Sequence, residues 1–353
     1  NNFTTSITAE VTQGALPGVV TENVNAVDFI TNLYTSASKT EVKNNNDTIT
    51  YNYATSVNLM NDRLGSMSTG IDAGNIRYYG ASPNNYIYFN CDDYSNQTSS
   101  TCEIWRIIGV FDSKVKIMRN ESIGSYSWDN KNTNTGAEDN MGKNNWTDAT
   151  IMKILNQGYE SETGGSLYWN RKNDTCYSGN SGTDTTQKTK NCYMSNVGLK
   201  NEVTKNMISV GNYSLLGWNN NQIYSNQIYN YEILTGGVYN EATRDKVWTG
   251  KISLPYPSDY GYAVDFSKCR NDLQHYSDST CTGNNWMFSS ASQWLLTSNS
   301  SYSRSVWVVN SSGGVEYYYA YSENSIRPVL FLDSKLIIEF GDGSSSAPYQ
   351  LSA

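Results

Sequence analysis

The sequence predicts an α+β protein with mixed antiparallel sheets, two helices and long irregular loops, preceded by a small N-terminal segment. Three observations carry this expectation. Strand-like runs cluster in two places, residues 76–119 and 301–332; amphipathic helical spacing is confined to short stretches between them; and residues 213–249 mix apolar side chains with Asn and Gly and read only as loops with short strands. Only 38% of residues are hydrophobic, yet 13% are aromatic, with 28 Tyr and 9 Trp among 353 residues. Disordered chains lack such aromatics, so the balance describes a folded protein with short strands, polar loops and a wet, aromatic surface. The length suffices for one large or two ordinary domains, and for a core that does not depend on disulfides.

Taken in order, residues from about Asn25 to Ser38 place Val27, Ile30, Leu33 and Tyr34 at helical spacing behind a cap at Asn23 or Asn25. The polar stretch KTEVKNNNDTITYNYATS follows as a linker with one strand. Residues 1–74 are therefore expected to be a helix with a stalk or attachment segment, and residues 75–353 the main domain. That domain opens with Ile76, Tyr78, Tyr86 and Tyr88 alternating around Ser82-Pro83-Asn84-Asn85, which reads as a hairpin. EIWRIIGVF and KVKIMRNE are two more strands, joined tightly at Asp112-Ser113. Asn145-Trp146-Thr147-Asp148 caps a helix carrying Ile151, Ile154 and Leu155, and a second helix, about Val197 to Ile208, carries Leu199, Val203 and Met207 on one face. Strands return at SYSRSVWVVN, GGVEYYYAYS and IRPVLFL, and must pair with one another and with the first ones.

Charge and cysteine content narrow the function. A net charge of −8, a pI near 4.8 and the lack of a basic cluster argue against a nucleic-acid partner, whose affinity comes from grouped Lys and Arg. The six cysteines fall into local pairs, Cys91 with Cys102, Cys176 with Cys192 and Cys269 with Cys281, each bracketing a short polar loop. None has the spacing of a zinc or redox motif, and the only histidine is His275, so neither metal nor cofactor is expected. Paired cysteines imply an oxidising compartment, hence a secreted or cell-surface protein. No apolar run spans a bilayer, and the N-terminus lacks the features of a signal peptide, so the expectation is a mature or trimmed chain with no membrane span of its own.

The stretch Trp294 to Leu332 sets Tyr, Ser, Asn, Glu and Arg inside a frame of Trp, Val, Leu and Pro. Tyr317, Tyr318, Tyr319 and Tyr321 fall within five positions, and successive residues of an extended chain point to opposite faces, so some rings must face solvent. Tyr supplies large, rigid, amphipathic contact area, and Ser and Asn supply adaptable hydrogen bonds, as in evolved recognition loops. An ordinary Tyr-rich antiparallel ribbon is the structural alternative.

Trp105-Arg106-Ile107-Ile108-Gly109, Trp294-Leu295-Leu296, the SVWVVNSSGGV ribbon and Ile326-Arg327-Pro328-Val329-Leu330, followed by Gly341-Asp342-Gly343 and Pro348-Tyr349, resemble a C-type-lectin-type fold. More specifically, they resemble the variable proteins of diversity-generating retroelements in bacteria and their phages, with a tail similar to those of surface proteins of gut-type Firmicutes. The resemblance covers about Asn75 to Leu351. It implies that Asn codons in a variable region, about 294–332, are diversified by adenine mutagenesis to Tyr, Ser, Asp or Ala; Glu316 and Glu323 stand outside that pattern. Carried over by position, the variable, ligand-binding residues are Ser301, Tyr302, Ser303, Arg304, Ser311, Tyr317, Tyr318, Tyr319, Tyr321, Ser322 and Asn324, with Trp294, Trp307, Arg327 and Pro328 as fixed scaffold. The implied function is non-enzymatic: a surface-displayed or virion receptor-binding protein whose partner is a protein or glycan ligand on another cell or host surface. The alternative is a fixed-specificity adhesin or carbohydrate-binding module.

The sequence departs from two relatives of that fold. Calcium-dependent sugar binders carry Glu-Pro-Asn or Gln-Pro-Asp followed by Trp-Asn-Asp; Trp169-Asn170-Arg171 and Trp218-Asn219-Asn220 lack the acid. Formylglycine-generating enzymes need reactive cysteines, and here all six are expected to be paired. Among catalytic constellations, His275 reads as a solvated surface residue. The acidic pairs Asp92-Asp93, Glu138-Asp139 and Glu160-Glu162 are the residual candidates for glycoside hydrolysis, although paired acids in loops are usually solvated. No catalytic residue is assigned.

Overall fold

The computed structural model describes residues 18–44, 49–63, 74–129, 142–178 and 188–352. Among them the protein is an α+β assembly of mostly antiparallel sheets, with six short α-helices where the sequence predicts two besides the N-terminal one. The largest sheet has ten strands. Its path runs Ile208–Ser209, Val329–Leu332, Lys114–Arg119, Glu103–Phe111, Ile76–Tyr78, Leu59–Asn61, Thr50–Ala54 and Thr40–Lys43, with Ile252–Ser253 and Tyr86–Phe89 pairing from the side. A five-stranded sheet runs Val315–Tyr319, Ser305–Val309, Gln293–Ser298, Glu323–Ser325 and Ser125–Ser127, and contains one parallel contact, Gln293 with Ser325.

Alternation explains how the smaller sheet is buried on both faces. Trp294, Leu296, Val306 and Val308 enter one hydrophobic cluster, while Leu295, Trp307, Val309 and Val315 enter the other. The two sheets are joined where Ile326-Arg327-Pro328 crosses between them. Pro328 O accepts from Arg119 N (3.0 Å), and Ile326 exchanges main-chain bonds with Ile123 and Gly124. Arg327 is buried there and donates to Arg119 O (3.1 Å) and Met287 O (3.0 Å). Trp294, Trp307 and Pro328 are buried as well.

The helix Ala26–Ser36 forms as its spacing predicts. Asn25 Oδ1 accepts from Val27 N and Asp28 N, and Ala26, Ile30 and Tyr34 face the core. The tight connection at Asp112-Ser113 also forms, both residues having positive φ. The three cysteine pairs are bonded as expected, Cys91 to Cys102, Cys176 to Cys192 and Cys269 to Cys281, which is compatible with a secreted protein. No helix among the described residues is long and apolar enough to cross a membrane.

Three expectations need correction. Ile76–Tyr78 and Tyr86–Phe89 are not a hairpin; both pair with Glu103–Phe111, at different points along it. Gly80, at φ +96°, turns the chain aside between them. The helix expected at Val197 to Ile208 shrinks to Glu202–Asn206, because the Asn201 side chain caps it at Thr204 N and Ile208 already pairs with Leu332. Val203, expected on its apolar face, is exposed. Finally, the boundary expected at residue 74 separates two strands that lie side by side: Leu59 pairs with Tyr78 and Asn61 with Ile76. The strands Thr40–Lys43, Thr50–Ala54 and Leu59–Asn61 thus continue the sheet of the main domain.

Candidate functional site

The strand Val315–Tyr319 is the edge of the five-stranded sheet, and its outer end forms one wall of an open concavity of about 580 Å³. That volume falls within the range of roughly 300–1,000 Å³ usual for ligand sites. The lining comes from Tyr302, Arg304, Ser305, Tyr317, Tyr318, Tyr319 and Ser322. Six of these were expected from the sequence. Tyr317 and Tyr319 share one face of the strand, set by their partners Trp307 and Ser305, while Tyr318 lies opposite Val306 on the other face.

Aromatic contacts fix the lining. The Tyr317 ring meets the buried Trp307 ring edge-on, centroids 6.1 Å apart. Tyr319 stacks on Tyr321 at 5.4 Å, and the Arg304 guanidinium carbon lies 4.9 Å from the Tyr319 centroid. Tyr318 packs against the core, and burial raises the pKa of its phenol, reinforced by the charge of Glu316. Tyr302, 59% exposed, and Tyr319, 45% exposed, are the rings most open to solvent.

The loop between Ser298 and Ser305 is held from beneath. Asn144 Nδ2 lies within hydrogen-bonding distance of three of its carbonyls, Asn299 O (2.9 Å), Tyr302 O (2.7 Å) and Ser305 O (2.8 Å), and Asn144 N donates to Ser303 O (2.7 Å). The buried Arg244 donates to Asn144 Oδ1, and burial pushes the pKa of its guanidinium down to about 10. Asn219 Nδ2 reaches Ser301 Oγ at 2.9 Å. Neither Asn144 nor Arg244 was singled out from sequence, because both act across a hundred or more residues and stand in no local pattern.

The remaining residues expected in the variable set fall elsewhere. Ser303, Tyr321 and Asn324 are buried. Tyr321 O accepts from Ser127 Oγ (2.8 Å), and Asn324 is opposite Tyr126 in the sheet. The side chains of these three are largely shielded from solvent. Ser301 is exposed on the loop, outside the concavity lining. Ser311 is exposed in the turn at the opposite end of the hairpin, away from Tyr319.

The acidic candidates that are described each hold a polar partner, and Glu160 accepts from Asn170 Nδ2 at 3.2 Å. Asp92 bonds Lys200 (2.9 Å), Glu162 bonds Lys153 (2.9 Å), and Asp93 accepts from Ser95. Glu138-Asp139 lies outside the described residues. His275 is exposed, with Asp272 beside its ring at 2.9 Å. Chemically, the concavity offers aromatic faces, hydroxyls and one guanidinium. No family model, no curated protein and no solved structure matches the chain.

Proposed function

We propose that the chain is a non-enzymatic ligand-binding protein, displayed on a cell or virion surface, whose C-terminal concavity is a diversified recognition site on a C-type-lectin-like scaffold. One observation supports this reading above the others. Six side chains that the resemblance marks as ligand-facing, Tyr302, Arg304, Tyr317, Tyr318, Tyr319 and Ser322, come together around one open concavity on a sheet whose interior is closed by Trp294 and Trp307. Exposed positions on such a frame tolerate exchange, usually within about 0.5 kcal/mol, so a Tyr-rich set can change its ligand without changing the fold.

The burial pattern sharpens the reading. Codon-by-codon sequencing of this gene in its source population, from Trp286 to Leu332, is expected to find adenine-derived changes at Tyr302, Tyr317, Tyr319 and Ser322. Buried Tyr321, Asn324, Trp307 and residues 326–330 are expected to stay fixed. Uniform conservation of the exposed tyrosines would overturn diversification and leave a fixed-specificity adhesin, whose aromatic rings would stack on sugars and whose binding a glycan array would detect.

A further inference from the structure

We propose that the ligand of this site is an extended polypeptide segment, bound by strand addition to the edge Val315–Tyr319. The inference rests on the reading of the concavity as a recognition site and adds the class of partner. Its basis is the main-chain register of the hairpin. Asn310 N donates to Gly314 O (2.9 Å) and Ala320 N donates to Arg304 O (2.7 Å), at the two ends of an unshifted antiparallel ladder. Bonded pairs alternate in such a ladder. The residues bonded inward are therefore Glu316 and Tyr318, and those whose N–H and C=O point outward are Val315, Tyr317 and Tyr319.

Part of that outer row is already engaged. Asn221 Nδ2 donates to Val315 O (2.9 Å), and Ser322 N donates to Tyr319 O (2.8 Å). Among the described residues no hydrogen bond reaches the outward N–H and C=O of Tyr317 or the N–H of Tyr319. These three groups run donor, acceptor, donor along the rim of the concavity, which matches the main chain of an extended peptide. Three of the usual protections against pairing are absent: the sequence VEYYY has no Lys or Pro, and the ladder has no bulge. In strand addition, main-chain bonds supply affinity and side-chain pockets supply specificity. Here successive side chains of an added strand would meet Tyr317 and Tyr319 on one side and Tyr318 on the other. A diversified set of tyrosines could then vary specificity while the main-chain bonds stay constant.

The test uses the intact chain and a displayed library of random linear twelve-residue peptides as probe. Binders whose affinity is lost in Tyr319→Ala are resynthesised with single N-methyl groups along the backbone. Methylation is expected to weaken binding tenfold or more at alternate positions only. Tyr317→Pro, which removes an outward N–H and leaves the inner ladder intact, is expected to cost at least tenfold. Hydrogen exchange keeps the proposal testable if that variant fails to fold: the amides of Tyr317 and Tyr319 should exchange fast in the free protein and be protected by peptide, while those of Glu316 and Tyr318 are protected throughout.

Several outcomes overturn the proposal. Protection of the Tyr317 amide in the free protein would do so, as would a dimer that Tyr317→Pro dissolves, or peptide binding indifferent to backbone methylation. A library that yields no binder sensitive to Tyr319→Ala would also count against it. A glycan or folded protein that binds and is lost in Tyr319→Ala but not in Tyr317→Pro would overturn strand addition alone and leave the recognition site standing.

Discussion

Glu232 is the residue on which burial acts most plainly. Its carboxyl is fully buried on the π-helical turn Tyr231–Thr235; Oε1 accepts from Ser258 N and Thr297 Oγ1, both at 3.3 Å, and Oε2 has no hydrogen-bond partner among the described residues. Desolvation therefore raises its pKa, from 4.5 to about 8, with the hydrogen bond from Ser258 and the charge of Lys116 opposing and that of Asp259 reinforcing. The folded state then holds a proton that the unfolded state releases above about pH 4.5. The contribution of this carboxyl to stability is complete below that pH, falls as pH rises towards 8, and levels off above it. Glu232→Gln should remove this fall. In urea unfolding the variant is expected to gain on the wild type with increasing pH between 5 and 8, by roughly 2–4 kcal/mol at most, at about 1.4 kcal/mol per unit. Stability differences that do not change with pH would show that Glu232 is ionised in the fold.

At the scale of elements, the hairpin between Glu103–Phe111 and Lys114–Arg119 was readable because two strand-like runs stand only two residues apart, leaving no other partner within reach. Its turn carries a cost: Asp112 and Ser113 sit at φ +47° and +56°, a conformation that Asn-Gly adopts more readily. Replacing the pair with Asn-Gly is expected to stabilise the protein by about 0.5–1 kcal/mol, measured by chemical denaturation; destabilisation would mean that the side chains of Asp112 or Ser113 hold the turn. Where expectation failed, the cause lies in distant partners. Alternation at Ile76–Tyr78 and Tyr86–Phe89 marked strands correctly but could not say that both would pair with the same third strand. The helix Pro257–Tyr262 went unread although its local signal was present, Pro257 in the first turn and Asp259 accepting from Tyr256 N. In the site, strand period required some of the rings of Tyr317, Tyr318, Tyr319 and Tyr321 to face solvent, and Tyr319 is the exposed one, while Tyr302 is marked through the resemblance. Burial of Ser303, Tyr321 and Asn324 was not legible, because Asn144, Ser127 and Tyr126 cover or bind them from far along the chain.

For the molecule as a whole, the decisive question is whether residues before 75 are an attachment or part of the fold. Thr40–Lys43, Thr50–Ala54 and Leu59–Asn61 extend the ten-stranded sheet beyond Ile76–Tyr78. Tyr51, Tyr53, Ala54, Leu59 and Met60 are each at most 1% exposed. The same segment supplies Asp62, whose carboxylate bonds the buried Arg77 at 2.5 Å; Arg77 also meets Asp259, which in turn holds Lys116. Removing one member of a buried ion cluster leaves an uncompensated charge, at a cost of about 3–5 kcal/mol, and losing five buried apolar side chains adds about 1.5–3 kcal/mol for each large one. Together these are comparable to the roughly 5–15 kcal/mol that holds a typical domain folded. A chain beginning at residue 75 is therefore expected to lose its cooperative thermal transition and to expose apolar surface that binds a hydrophobic dye. Asp62→Asn in the full chain should lower the melting temperature while leaving a single transition. A truncated chain that melted like the full one would restore the boundary at 74, and would mean that the sheet from Ile76 onward closes its own edge.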